Sequence, residues 1–125
     1  MGSEMCIRDR CKGQLCLMEK ELARYAVDVL KDLVRINTNA VEKSGYKDAV
    51  DFLLPKFEEI GVDAKIVGKE VPNIVAKMDV GAEKDIAIVS HYDVVPAEGP
   101  WTIDNITFDL FDPVEHNGKI YGRGL

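Results

Sequence analysis

Four consecutive apolar residues, Ile86-Ala87-Ile88-Val89, constrain the fold of this chain more than any other feature. A strand that alternates apolar and polar residues buries one face. A strand without alternation must be covered on both, as at the centre of an α/β sheet flanked by helices. The segments before it supply suitable covers. Leu22, Ala26, Val29, Leu30, Leu33 and Val34 recur at three- and four-residue steps among Glu19, Lys20, Arg24, Asp28, Lys31 and Asp32, which predicts an amphipathic helix ended by Asn37, Thr38 and Asn39. A second helix is predicted with Ser44 as its cap and with Ala49, Phe52, Leu53, Phe57 and Ile60 on one face. Pro55 should kink or restart it, and Gly61 should stop it at the C′ position.

After Gly61 the period changes to two. Val62 to Val67 reads as a half-buried strand closed by Gly68-Lys69-Glu70, and Asn73 to Met78 as a second strand followed by a polar turn from Asp79 to Lys84. The apolar run comes next and leads directly into Ser90-His91-Tyr92-Asp93. A long polar stretch with Pro96, Pro100 and Pro113 follows, then a short strand, Lys119 to Tyr121, and the Gly122-Arg123-Gly124 turn. The order helix, helix, strand, strand, strand predicts an α/β fold, a three-layer α/β/α sandwich with a mixed sheet. No closing helix follows Leu125, so the sandwich is expected to be truncated there.

At 125 residues the chain has room for one domain, and its net charge of −6 argues against a nucleic-acid or anionic-membrane partner. No stretch approaches the roughly 20 apolar residues of a membrane helix. All three cysteines, Cys6, Cys11 and Cys16, precede Leu17, in a spacing that suits neither a metal knuckle nor an even disulfide frame. Residues 1–17 also lack the apolar core of a secretory leader. They are read as a non-native leader of cloning or adapter origin, with the native chain starting at Met18. The cysteine-free remainder suits a reducing, cytoplasmic setting.

Ligands bind outside the carboxyl ends of strands in open α/β sheets, and His91 and Asp93 stand at such an end. Residues two apart on an extended chain point the same way, so imidazole and carboxylate can meet on one face. Neutral imidazole ligates zinc well, and a neighbouring carboxylate can fix its tautomer. Elsewhere, His116 reads as a plain surface histidine in a turn before a strand, and Asp104, Asp109 and Asp112 as solvated loop residues. Arg123 either contacts a substrate or neighbouring carboxylate or fixes its turn. Trp101 either packs its loop or lines a pocket.

The segment Ser90-His91-Tyr92-Asp93-Val94-Val95-Pro96-Ala97, then Trp101, Phe111-Asp112-Pro113 and Asn117-Gly118-Lys119-Ile120-Tyr121-Gly122-Arg123-Gly124, resembles the zinc metallopeptidase and aminoacylase family. That family includes carboxypeptidases, acetylornithine deacetylases and succinyl-diaminopimelate desuccinylases. HxDVVP followed by GKxYGRG carries the resemblance, supported by the helix from Leu22 to Ile36 with Asn37-Thr38, and it extends from about Met18 to Leu125. It implies the N-terminal part of a catalytic domain, with His91 as first metal ligand and Asp93 as the carboxylate beside it, usually catalytic. It further implies two zinc ions, with cobalt possible, that activate a water and polarise an amide carbonyl. The bridging aspartate would stand at the second position beyond Leu125, followed later by a glutamate general base. The expected substrate is an N-acyl amino acid or a peptide with a free carboxylate, and the full protein would be a homodimer. One departure is the stretch Thr102 to Leu110, longer than the family's spacing between the tryptophan and its Pro-Phe-x-Pro. The alternatives are a catalytically inactive α/β fragment and a metal-free binding module. One histidine and one carboxylate cannot close a zinc site, so the 125-residue chain alone is expected to bind zinc weakly and hydrolyse nothing.

Overall fold

A computed structural model describes residues 14–125, with side chains from Leu17 onward. Cys6, Cys11 and the rest of residues 1–13 of the expected leader lie outside the described residues, as does the Cys16 side chain. The chain divides into two compact units, Met1–Asp32 and Leu33–Leu125.

The first unit is described through helix α1, Gln14–Arg35, whose last turn belongs to the second. The helix starts ahead of Met18, so the expected leader boundary falls inside it. Its apolar stripe stays largely open, with Leu22 67% exposed. Arg24 and Asp28 pair one turn apart at 3.2 Å on its solvated side.

The second unit contains α2, Tyr46–Glu59, which packs on a hairpin of β1, Asp63–Val67, and β2, Asn73–Lys77. Both strands match their sequence patterns to within a residue, and their antiparallel register sets Ala64 opposite Ala76 and Ile66 opposite Ile74. Tyr46, Ala49, Val50 and Val62 are buried in this part of the unit. Pro55 is accommodated inside α2, with no restart of the helix, and Gly61 turns left-handed after it as expected. The N-terminus differs from the Ser44 cap. Ser44 donates its N–H to the Asn39 carbonyl and accepts from the Asn39 N–H, which commits its backbone to a bridge, and Gly45 becomes the N-cap. Gly45 lies at φ 73°, where a Cβ would come within 2.1 Å of the Asn37 carbonyl oxygen.

Two further hairpins follow, three of whose strands fall in the stretch read as polar, while the fourth is the short strand expected at Lys119 to Tyr121. In the first, β3, Trp101–Ile103, pairs with β4, Ile106–Phe108, through Asp104 and Asn105, both at positive φ. In the second, β5, Val114–His116, pairs with β6, Lys119–Tyr121, through Asn117 and Gly118, also at positive φ. Such left-handed pairs suit two-residue hairpin turns because their twist matches that of the strands. The apolar run corrects its own expectation. Ile86, Ile88 and Val89 are 89–92% exposed in an extended segment that belongs to no sheet. The reason is that a strand exists only through a ladder, and among the described residues none pairs with residues 85–90. The sheets present are three separate two-stranded ones.

Replacing Gly45 by alanine forces a side chain into a left-handed turn against backbone, at a cost of roughly 3 kcal/mol or more. Gly61 shares the left-handed φ but faces open space, so Gly61→Ala should cost only about 1–2 kcal/mol. Denaturant unfolding of the two variants should therefore rank Gly45→Ala well below Gly61→Ala.

Candidate functional site

The segment from His91 to Val95 crosses the second unit beside the polar strip Asn37–Ala40 that ends α1. Thr38 Oγ1 donates to the Tyr92 carbonyl at 2.8 Å, and the Ala40 N–H donates to the Val94 carbonyl at 3.0 Å within a parallel bridge between Asn39 and Val94. Asn39 Oδ1 in turn accepts the N–H groups of Val41 and Glu42. Thr38 and Asn39 are 3% and 8% exposed. Buried polar groups must find partners, and these have found theirs in the site segment and its supporting turn.

Arg123 reaches the same place from the far end of the chain. Its guanidinium is buried, donating from Nε and Nη2 to the Val95 carbonyl at 3.0 and 2.7 Å, from Nη1 to Asn37 Oδ1 at 2.8 Å, and from Nη2 to the Thr38 carbonyl at 3.4 Å. The Phe111 ring lies 4.8 Å from it. Of the two roles open to Arg123, the structure supports the architectural one, since no carboxylate among the described residues forms an ion pair with it.

Tyr92 points away from its neighbours. Its ring meets Tyr46 edge-on with centroids 5.6 Å apart, and its hydroxyl donates to the Pro72 carbonyl. Burial, followed by the nearby Tyr46 and Asp93 charges, raises the Tyr92 pKa. Tyr92 anchors inward while His91 and Asp93 share the opposite side, as residues two apart should. His91 Nδ1 lies 2.9 Å from the Asp93 carbonyl oxygen and 3.3 Å from Asp93 Oδ1. Both are acceptors, so in the neutral ring Nδ1 carries the proton and Nε2 keeps the lone pair. The His91 side chain is 80% exposed, which leaves that nitrogen accessible to a ligand.

The remaining candidates fall elsewhere. His116 differs from a plain surface histidine: its side chain is 26% exposed, and Nε2 lies 3.1 Å from Asp104 Oδ2, linking the tips of the two later hairpins. Asp112 pairs with Arg35 at 3.2 Å, and Asp109 Oδ1 accepts the Phe111 N–H. Trp101 takes its place in the β3–β4 pairing, and its indole N–H donates to the Glu98 carbonyl at 3.2 Å. Beside it a cleft of about 390 Å³ opens between Pro100, Thr107, Phe108, Leu110 and Phe111. Among the described residues no three His, Cys, Asp or Glu side chains converge as a metal site, and no helix is long and apolar enough to cross a membrane. Asn37, Thr38 and Asn39 read in the sequence as a helix stop, and nothing in their pattern marks them as the support of the site.

A histidine whose Nδ1 faces a main-chain carbonyl, with a carboxylate close by, is a ligand type found in metal sites, and the relatives of this chain are hydrolases, one of them a metallohydrolase by name. It is 33% identical to an uncharacterised metallohydrolase of Methanocaldococcus jannaschii, over 83% of this chain and 28% of that protein. It is 37% identical to a cysteinylglycine-S-conjugate dipeptidase of Corynebacterium striatum, over 63% of this chain and 17% of that protein. It is also 32% identical to a "probable succinyl-diaminopimelate desuccinylase" of Staphylococcus aureus, over 78% and 23% of the two chains. The homologues of this chain are thus metallohydrolases, dipeptidases and desuccinylases, matched at modest identity. It spans about a quarter or less of the length of the curated relatives just described. No family model matches it.

Because the folded state raises its pKa, neutral Tyr92 contributes stability that is complete below the ordinary tyrosine range and lost as pH rises through the raised value. Tyr92→Phe should cost about 1 kcal/mol at neutral pH through the lost hydroxyl bond. It should also remove a tyrosine transition lying above the ordinary tyrosine range in an absorbance titration.

Proposed function

We propose that this chain is the N-terminal part of the catalytic domain of a dinuclear zinc hydrolase. The enzyme would cleave the amide bond of an N-acyl amino acid or peptide next to a free carboxylate. One observation carries the reading: His91 Nδ1 faces two acceptor oxygens of Asp93, the carbonyl at 2.9 Å and the carboxylate at 3.3 Å, an arrangement that favours Nδ1–H and would leave Nε2 of an exposed side chain to bind a metal. Homology to a dipeptidase and a desuccinylase supports amide hydrolysis. When bound, the metal pair would supply Lewis acidity for the amide carbonyl and an acidified water.

The chain's own residues have narrower tasks. His91 supplies one neutral nitrogen. Asp93 would fix the tautomer and orient the ring, its carbonyl accepting the Nδ1–H and its carboxylate adding negative charge beside the ring. Zinc takes imidazole and carboxylate readily, so this donor pair fits the metal, with cobalt as an alternative, although it is too small to enclose one. In a protein of the relatives' length, Ile86–Val89 would become the central strand of a three-layer α/β/α sandwich. That placement would bring His91 to its carboxyl end. The same protein would be a cytoplasmic homodimer.

A second reading is that the 125-residue chain is itself inactive, because one imidazole with one adjacent carboxylate cannot close a zinc site. The two are compatible, because one concerns the whole protein and the other this segment.

The full-length protein, assayed on a panel of N-acyl amino acids and dipeptides, should lose turnover on chelation and regain it with zinc or cobalt. His91→Ala and Asp93→Ala should each lower kcat/KM about 100-fold. Unchanged turnover in His91→Ala would refute the assignment. The isolated 125-residue chain should show weak zinc binding by calorimetry and no turnover on the same panel.

A further inference from the structure

We propose that Thr38 and Arg123 are positioning residues that hold the His91–Asp93 backbone so that the His91 imidazole is fixed in its Nδ1–H form. The proposal deepens the metal-ligand reading and rests on it for its functional meaning.

The argument starts from the carbonyls. Four successive ones, from Tyr92 to Val95, each have a donor. Thr38 Oγ1 serves Tyr92, His91 Nδ1 serves Asp93, the Ala40 N–H serves Val94, and the Arg123 guanidinium serves Val95 twice. Carbonyls two apart on an extended chain point the same way. The bonds to Tyr92 and Val94 therefore turn the intervening Asp93 carbonyl to the other side, where His91 Nδ1 meets it. The Thr38 bond fixes the peptide plane between Tyr92 and Asp93. Rotating that plane moves the start of Asp93, and with it both oxygens that face the imidazole.

Arg123 secures the two sides of this arrangement together. Besides the Val95 carbonyl, it binds Asn37 Oδ1 and the Thr38 carbonyl, so one planar group ties the supporting strip to the segment that carries the imidazole. Lysine keeps the charge but has no fork, and cannot hold these divergent acceptors in one geometry. Thr38 and Arg123 are 3% and 5% exposed, which excludes water as an easy substitute for either. Neither needs to touch a metal or substrate to act. Their effect passes through the backbone to the ring.

The test uses the metal-free, ¹⁵N-labelled 125-residue chain at a pH where the ring is neutral. Long-range ¹H–¹⁵N correlation reads the ratio of Nδ1–H to Nε2–H forms. The sequence has two histidines, so His116→Gln assigns the His91 signals and the unmodified His116 monitors folding in the other variants. Nδ1–H should dominate in the parent chain. Thr38→Val and Arg123→Lys should each lower the ratio about fivefold, the worth of one ordinary hydrogen bond, whereas Thr38→Ser should preserve it. Thr38→Val keeps the side-chain volume and leaves Arg123 in place, so it decides alone if Arg123→Lys does not fold. An unchanged ratio in Thr38→Val, or an equal fall in Thr38→Ser, overturns the proposal. A zinc titration followed at His91 separates it from the functional reading. Parental zinc shifts that weaken about tenfold in Thr38→Val support both. A parental chain with dominant Nδ1–H, sensitive to Thr38→Val yet silent to zinc, supports the clamp and removes the metal role.

Discussion

The second unit depends on one buried cation. Arg123 sits where the strip after α1, the His91–Val95 segment and the turn after β6 converge, and its N–H groups are divided among acceptors on the first two. Taking a guanidinium out of water costs several kcal/mol unless its donors are met. Here they are met by neutral oxygens and an aromatic face. Carbonyl dipoles do not titrate in the physiological range, so the arrangement retains its partners where a carboxylate would protonate. The Arg123 N–H also donates to the Leu110 carbonyl at 2.9 Å, which ties the same residue to the hairpin region by its backbone.

Around this cation, local and distant bonds divide the work. Asn39 closes its own turn by accepting from Val41 and Glu42, while its backbone bridges both Ser44 and Val94. One residue thus sets the entry to α2 and the course of the site segment. Tyr92 adds an apolar anchor against Tyr46 and a polar one on Pro72, linking the segment to the first residue of α2 and to the approach to β2. Side chains on one side of the segment are consumed by packing, which leaves those on the other side, His91 and Asp93, available for chemistry.

What the sequence revealed follows from the range of each signal. The helices and the first hairpin were legible because their periods repeat over many residues and end at glycine or asparagine. The β5–β6 hairpin had its turn visible in Asn117-Gly118, yet Val114–His116 is too short to show alternation, so only the second strand was read. The β3–β4 hairpin was hidden for the same reason, although Asp104-Asn105 between Ile103 and Ile106 is a turn signature. At the site, HxD spacing placed imidazole and carboxylate on one side. It could not show that Thr38 and Arg123 would converge on the segment's carbonyls, because those contacts join residues 54 and 28 positions apart. The pairing of His116 with Asp104 has the same origin in a meeting of two hairpin tips.

The exposed run Ile86–Val89 is the point at which sequence and structure disagree most, and the disagreement has a physical reading. Its composition of β-branched residues and alanine favours neither a solvated loop nor a helix, and burying it would remove a large apolar surface from water. That gain requires ladder partners on its edges and cover on its faces, which the second unit does not supply. The site segment that follows is nevertheless fully bonded through its carbonyls from Tyr92 to Val95. Order at the His91–Asp93 pair therefore does not depend on the strand that precedes it. It is set from the side, by Thr38, Ala40 and Arg123, and a sheet formed around Ile86–Val89 in a longer protein would meet a His91–Asp93 pair whose geometry is already defined.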